Sequence, residues 1–135
     1  MMLNMKEDLH IHCNYNDHSS KDLTIPNIIN KSESIGLERI AITEHVRKNS
    51  EWTKKYIDEL NYYIPKTKIK ILRGFEAKIL ADGEVDCPAE YLNNEYFIIA
   101  SFHTRSRLPV AIWRGENGSI IARCSQPRVG VNNAR

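Results

Sequence analysis

The chain has only three cysteines, Cys13, Cys87 and Cys124, in 135 residues, and no CxxC pair. That argues against a disulfide framework and against a thiolate zinc site. There is no apolar run of signal-peptide length in Met1 to Glu7, and no segment approaches the length needed to span a bilayer. Charge of one sign is also lacking. A net charge of +2 gives no electrostatic argument for a nucleic-acid partner or an anionic membrane. A GxSxG nucleophile elbow is absent as well. These absences lead us to expect a reducing, cytoplasmic setting, with no membrane and no nucleic acid among its partners; they do not bear on oligomeric state.

What is present suits one globular domain with a core of its own. Met5 to His12 reads as a strand, and Cys13 to Leu23 as a polar loop. Thr24 is a fair N-cap and Pro26 fits a first helical turn. Ile25, Ile28, Ile29 and Ile35 give that helix an apolar stripe, and Gly36 sits at its C′ position. Leu37 to Thr43 reads as a second strand, with Glu44 and His45 in the loop after it. Ser50 is a candidate cap for a second helix carrying Trp52, Tyr56, Leu60 and Tyr63, which Pro65 ends. Lys68 to Ile79 is a third strand, in which Gly74 marks a bulge or a close approach. Ala81-Asp82-Gly83 is a turn, Pro88 to Asn94 a short helix, and Tyr96 to Phe102 a fourth strand. This β-α-β-α-β-α-β order predicts a parallel sheet.

From Leu108 the pattern changes. Val110 to Trp113 and Ser119 to Cys124 flank Gly115-Glu116-Asn117-Gly118 and read as a hairpin, after which the chain is expected to fray. Residues 1–107 carry a net charge of −1, whereas residues 108–135 carry four Arg, no Lys and one Glu. We therefore divide the chain into 1–107, a partial domain, and 108–135, a divergent or non-native tail.

The chemistry gathers at Asp8-Leu9-His10-Ile11-His12. In a strand, Asp8, His10 and His12 share one face. Two imidazoles two residues apart make a poor core and a good metal site. All five histidines, His10, His12, His18, His45 and His103, fall at or just beyond a strand's C-terminal end, as does Glu76. In parallel α/β folds reactive groups collect there. Imidazoles with a carboxylate suit Zn²⁺, Mn²⁺ or Fe²⁺. A carboxylate such as Glu76 can bridge two cations, which together clamp the oxygens of a phosphoester hydrolysis performed by activated water. Asp8 and Glu44 are candidates to orient a histidine. Cys13 reads as packing or a free thiol. Arg47, Lys48, Arg105 and Arg107 follow the ligand stretches and are candidates for holding phosphate. Each of these residues alone also has a plainer reading, as a solvated or hydrogen-bonded side chain.

Asp8-Leu9-His10-Ile11-His12, Ile40-Ala41-Ile42-Thr43-Glu44-His45, Gly74-Phe75-Glu76 and Ala100-Ser101-Phe102-His103 together resemble the successive motifs of the PHP (polymerase and histidinol phosphatase) family. The resemblance covers roughly residues 5–104. It implies the N-terminal part of a distorted (β/α)7 TIM-like barrel, with two or three divalent ions held by His10, His12, His18, His45, Glu76 and His103. It also implies a metal-dependent phosphatase of the histidinol-phosphatase type, acting on a small phosphorylated substrate, with Arg47 and Arg105 as substrate-binding candidates. The family's second motif usually reads Thr-Asp-His, where this chain has Thr-Glu-His. The family also carries a further strand-end His and an Asp-x-His pair late in the chain, and no His follows His103. The resemblance therefore implies a truncated or frame-shifted chain, inactive for want of ligands and marginally stable because a barrel cannot close. The alternatives that stay open are a non-catalytic metal-binding remnant and a nuclease or polymerase-associated module of the same family.

Overall fold

The computed structural model describes residues 6–102 and 122–124. They form one sheet of five strands in the order β1-β2-β3-β4-β5, all neighbours parallel. The strands are β1 (Glu7–Ile11), β2 (Arg39–Val46), β3 (Lys70–Lys78), β4 (Phe97–Phe102) and β5 (Ala122–Cys124). Helix α1 (Ile25–Ser34) joins β1 to β2, and α2 (Thr53–Tyr63) joins β2 to β3. Parallel neighbours need a crossover, and these two helices supply it.

Helix α1 forms where its sequence predicts, except that Ile35, expected in the apolar stripe, caps the helix and is 58% exposed. The Thr24 side chain accepts the Asn27 N–H at 3.3 Å, Pro26 lies in the first turn, and Gly36 closes the end at φ +79°. Ile25, Ile28 and Ile29 are buried in one cluster with Ile40 and Ile42 of β2 and Tyr56, Ile57 and Leu60 of α2. Ala41 and Thr43, on the other face of β2, are also fully buried. Covered on both faces, β2 needs no polar alternation.

Several local expectations are corrected. Strand β2 runs on through Glu44 and His45 to Val46, because it keeps pairing with β3 as far as Val46↔Ala77. Ser50 does not cap α2. Trp52 holds that position without a side-chain bond, and the Ser50 hydroxyl instead accepts the Arg47 N–H at 3.0 Å. The segment after Pro88 makes one 3₁₀ turn, Ala89–Tyr91, rather than a helix. The Ala81-Asp82-Gly83 turn is present, with Gly83 at φ +86° and Ile79 bridged antiparallel to Val85. Strand β4 pairs on its second side with β5. Apart from Ala122–Cys124, the hairpin expected between Val110 and Cys124 lies outside the described residues.

Gly74 marks a close approach. A Cβ there would lie 2.4 Å from the Phe97 carbonyl oxygen and 2.9 Å from Thr43 Cγ2. The register pairs Gly74 with Thr43 on one side and Phe97 on the other, so three backbones crowd together at this level.

The expected barrel fragment is corrected too. Among the described residues the sheet is open, with β1 and β5 at its edges, two helices, and no helix between β3 and β4. This is a small α/β sheet. Its strand-end placement of reactive groups follows from parallel pairing alone and requires no barrel. No helix among the described residues is long and apolar enough to cross a membrane.

Candidate metal centre

Parallel pairing brings the C-terminal ends of β1, β2 and β3 side by side. His10 Nε2 and His12 Nε2 lie 3.2 Å apart, and Glu76 Oε2 lies 2.9 Å from the first and 3.0 Å from the second. These three ligand atoms form one group within 4.8 Å of one another. His45 reaches the same carboxylate oxygen through Nδ1 at 3.4 Å, and its ring stacks on that of His12 at 4.4 Å. His18, in the loop after β1, places its ring centroid 6.5 Å from that of His45. His103 lies outside the described residues.

The spacing fits a cation. Ligand atoms about 2.0–2.1 Å from an ion sit roughly 2.9–3.3 Å from each other in octahedral or tetrahedral geometry. The three distances around His10, His12 and Glu76 span that range. The exposure also suits an open site. Glu76 is almost buried, its side chain 7% exposed, whereas those of His10 and His12 keep 20% and 28%. Were an ion held there, three protein ligands with a solvent-facing side would leave a position for water or substrate.

Glu44 supports the group from beneath. It is fully buried. Its Oε1 lies 3.2 Å from His12 Nδ1 and accepts the Asn16 amide and the His45 N–H, each at 2.8 Å, while its Oε2 accepts the Cys13 N–H at 2.9 Å. Burial alone would raise the Glu44 pKa, but the bonds from His12, Asn16, His45 and Cys13 outweigh it and hold the carboxyl at about 2. Glu76 behaves alike: burial opposes its charge, and the bonds to His10 and His12 hold its pKa far below the usual range. His12, bonded first to Glu44 and then to Glu76, is raised to about 9 against its burial. The His12 ring thus lies between the two carboxylates, with Nδ1 facing Glu44 and Nε2 facing Glu76. Donation from Nδ1 to Glu44 fixes which nitrogen faces His10 and Glu76, as metal-bound histidines require.

The remaining candidates are placed less centrally. Between Asp8↔Ile40 and Ile11↔Ile42, β1 carries one residue more than β2, which breaks the strict alternation expected from Asp8 to His12. Asp8 is exposed, and its carboxylate accepts the backbone N–H of His10 at 3.2 Å. Arg47 is 73% exposed and 3.7 Å from Asp86, and Lys48 pairs with Glu84 at 2.7 Å, so both cations face the turn after β3. Arg105 and Arg107 lie outside the described residues. Cys13 and Cys87 are buried free thiols, and burial pushes Cys87 up to about 12.

The sequence reading missed Asn16. Its amide ties Glu44 to the His45 carbonyl, 3.0 Å away, and so fastens the loop after β1 onto the end of β2. Nothing in a polar loop with two asparagines singles one of them out.

With this geometry in hand, the chain can be set beside known proteins. A family model for the myotubularin-like phosphatase domain matches residues 84–135. A probable phosphatase of Syntrophotalea carbinolica is 24% identical over 131 residues, covering 96% of this chain and 54% of that protein. A probable phosphatase of Acetivibrio thermocellus is 31% identical over 104 residues, covering 71% of this chain and 40% of that protein. The phosphatidylinositol-3,5-bisphosphate 3-phosphatase MTMR2 of Bos taurus is 36% identical over 89 residues, 60% of this chain and 14% of that protein. The chain thus spans about half, or less, of the length of the curated relatives it matches. These matches overturn the PHP resemblance and the histidinol-phosphatase type that came with it, since the family that matches is the myotubularin-like one. The similarity to phosphatases stands; the cluster of His10, His12 and Glu76 lies outside the segment that the family model matches.

Proposed function

We propose that this protein is a phosphatase that hydrolyses a small phosphomonoester with the help of a divalent ion held by His10, His12 and Glu76. The observation that carries this reading is the convergence of two imidazole nitrogens and one carboxylate oxygen at 2.9–3.2 Å. Similarity to proteins described as phosphatases supports the reaction class. An ion at this position supplies Lewis-acid polarisation and an activated water. The chain's own part is to hold the ligands. Glu44 orients His12, Asn16 locks Glu44, and Glu76 balances charge from a nearly buried position. His45 offers a donor for a second ion sharing Glu76, and His18 beside it one for a third; zinc, manganese and iron all suit these donors. A reducing, cytoplasmic setting belongs to this proposal and agrees with two buried thiols.

The test is hydrolysis of p-nitrophenyl phosphate by the full chain, with Mn²⁺ or Zn²⁺ added and with EDTA. Activity that appears with metal, vanishes with chelator and is lost in Glu76→Gln supports the reading. A second reading is favoured by the match over 84–135, because MTMR2 is described as a phosphoinositide 3-phosphatase. Hydrolysis of a short-chain phosphoinositide that resists EDTA and survives Glu76→Gln would favour that reading and overturn the first.

A further inference from the structure

We infer that Tyr56 is a positioning residue for this centre, an inference that rests on the cation reading above. Tyr56 stands on α2 and is completely buried. Its hydroxyl lies 2.7 Å from the Ile42 carbonyl oxygen and 2.9 Å from that of Gly74. The two carbonyls belong to neighbouring strands, β2 and β3. Each comes two residues before a carboxylate of the site, Glu44 in one case and Glu76 in the other.

A core position filled only for packing has no need of this hydroxyl. Phenylalanine would fill nearly the same volume, and a buried hydroxyl costs stability unless it is bonded. Here a single O–H is shared between two acceptors, which fastens both strands to one point on α2. The level at which it acts is tightly packed. Gly74 has no room for a Cβ between the Phe97 carbonyl and Thr43. Above that level the strands carry His45 and Glu76, paired in register and 3.4 Å apart through Nδ1 and Oε2. Coordination tolerates only a few tenths of an ångström. Tyr56 therefore sets the lateral spacing of β2 and β3 from which His45, Glu44 and Glu76 project. It touches none of those side chains' reacting atoms.

The experiment is a Co²⁺ titration of the full chain, wild type against Tyr56→Phe, followed by the visible absorption that reports coordination geometry. Thermal midpoints of the metal-free proteins are measured alongside. Ile57→Val, on the same helix and in the same core but with no polar group to offer the carbonyls, serves as the control for simple core loss. We expect Tyr56→Phe to bind Co²⁺ about tenfold more weakly with an altered band. Ile57→Val should lower the midpoint while leaving both affinity and band unchanged. A Tyr56→Phe protein with wild-type affinity and band overturns the inference and leaves the cation reading intact. Wild type that takes up no Co²⁺ overturns the cation reading, and this inference falls with it. Should Tyr56→Phe not fold, the buried hydroxyl proton of wild-type Tyr56 is followed by NMR as Zn²⁺ is added. A shift supports the coupling, and an unmoved signal contradicts it.

Discussion

Glu44 keeps its charge inside the protein because His12, Asn16 and the N–H groups of His45 and Cys13 all meet it. Glu44→Gln keeps the shape but replaces an acceptor oxygen with an NH₂ group, so one of these donors is left facing another donor. Divalent-metal affinity should fall about 10- to 100-fold, measured by calorimetric titration with Zn²⁺. The same bonds set a pH dependence. His12 is raised from 6.5 to about 9 in the folded protein, so its contribution is full below pH 6.5 and is lost as pH rises through 9. Glu44 is lowered from 4.5 to about 2, so its contribution is full above pH 4.5 and is lost as pH falls through 2. The thermal midpoint of metal-free protein should therefore decline above pH 6.5 and below pH 4.5. Saturating Zn²⁺ should flatten the alkaline decline, because a bound ion requires neutral His12. At this scale period two led us to expect His10 and His12 on one face, whereas β1 carries an extra residue between Asp8 and Ile11 and ends before His12. Glu44 was legible only as an acid beside a histidine, because the donors that hold it come from Asn16 and Cys13, 28 and 31 residues away.

Elements came through the sequence where a local rule governed them and failed where a partner did. Thr24, Pro26 and Gly36 delimit α1 by capping chemistry that needs no tertiary contact. Strand β2 outran its reading by three residues because β3 continues to pair with it, and no local pattern reports a partner's length. Ser50 was misread for a similar reason, its hydroxyl being taken by Arg47. Gly74 was legible as a close approach, though the neighbours it approaches were not. Gly74→Ala should destabilise the protein by about 2–3 kcal/mol, since the new methyl meets the Phe97 backbone rather than a flexible side chain. Chemical denaturation at pH 7 checks this, and a loss below about 0.5 kcal/mol would show that β4 can move aside.

On the scale of the whole molecule, parallel order was readable from the alternation of strand and helix, whereas closure into a barrel came only with the family resemblance. The described sheet is open, and the PHP resemblance is overturned by a myotubularin-like phosphatase match over residues 84–135. Neither correction separates the imidazoles, because their meeting depends on three adjacent parallel strands and not on how the sheet ends. Whether His10, His12 and Glu76 hold an ion between them therefore decides the chemistry open to this protein. Metal content of the purified full chain, dialysed against Zn²⁺ or Mn²⁺ and then against buffer, measures this directly by mass spectrometry. We predict about one divalent ion or more per wild-type chain, and close to none when His10→Ala and Glu76→Gln are combined. A wild-type chain that emerges metal-free, or a double variant that retains as much metal as wild type, would contradict the account.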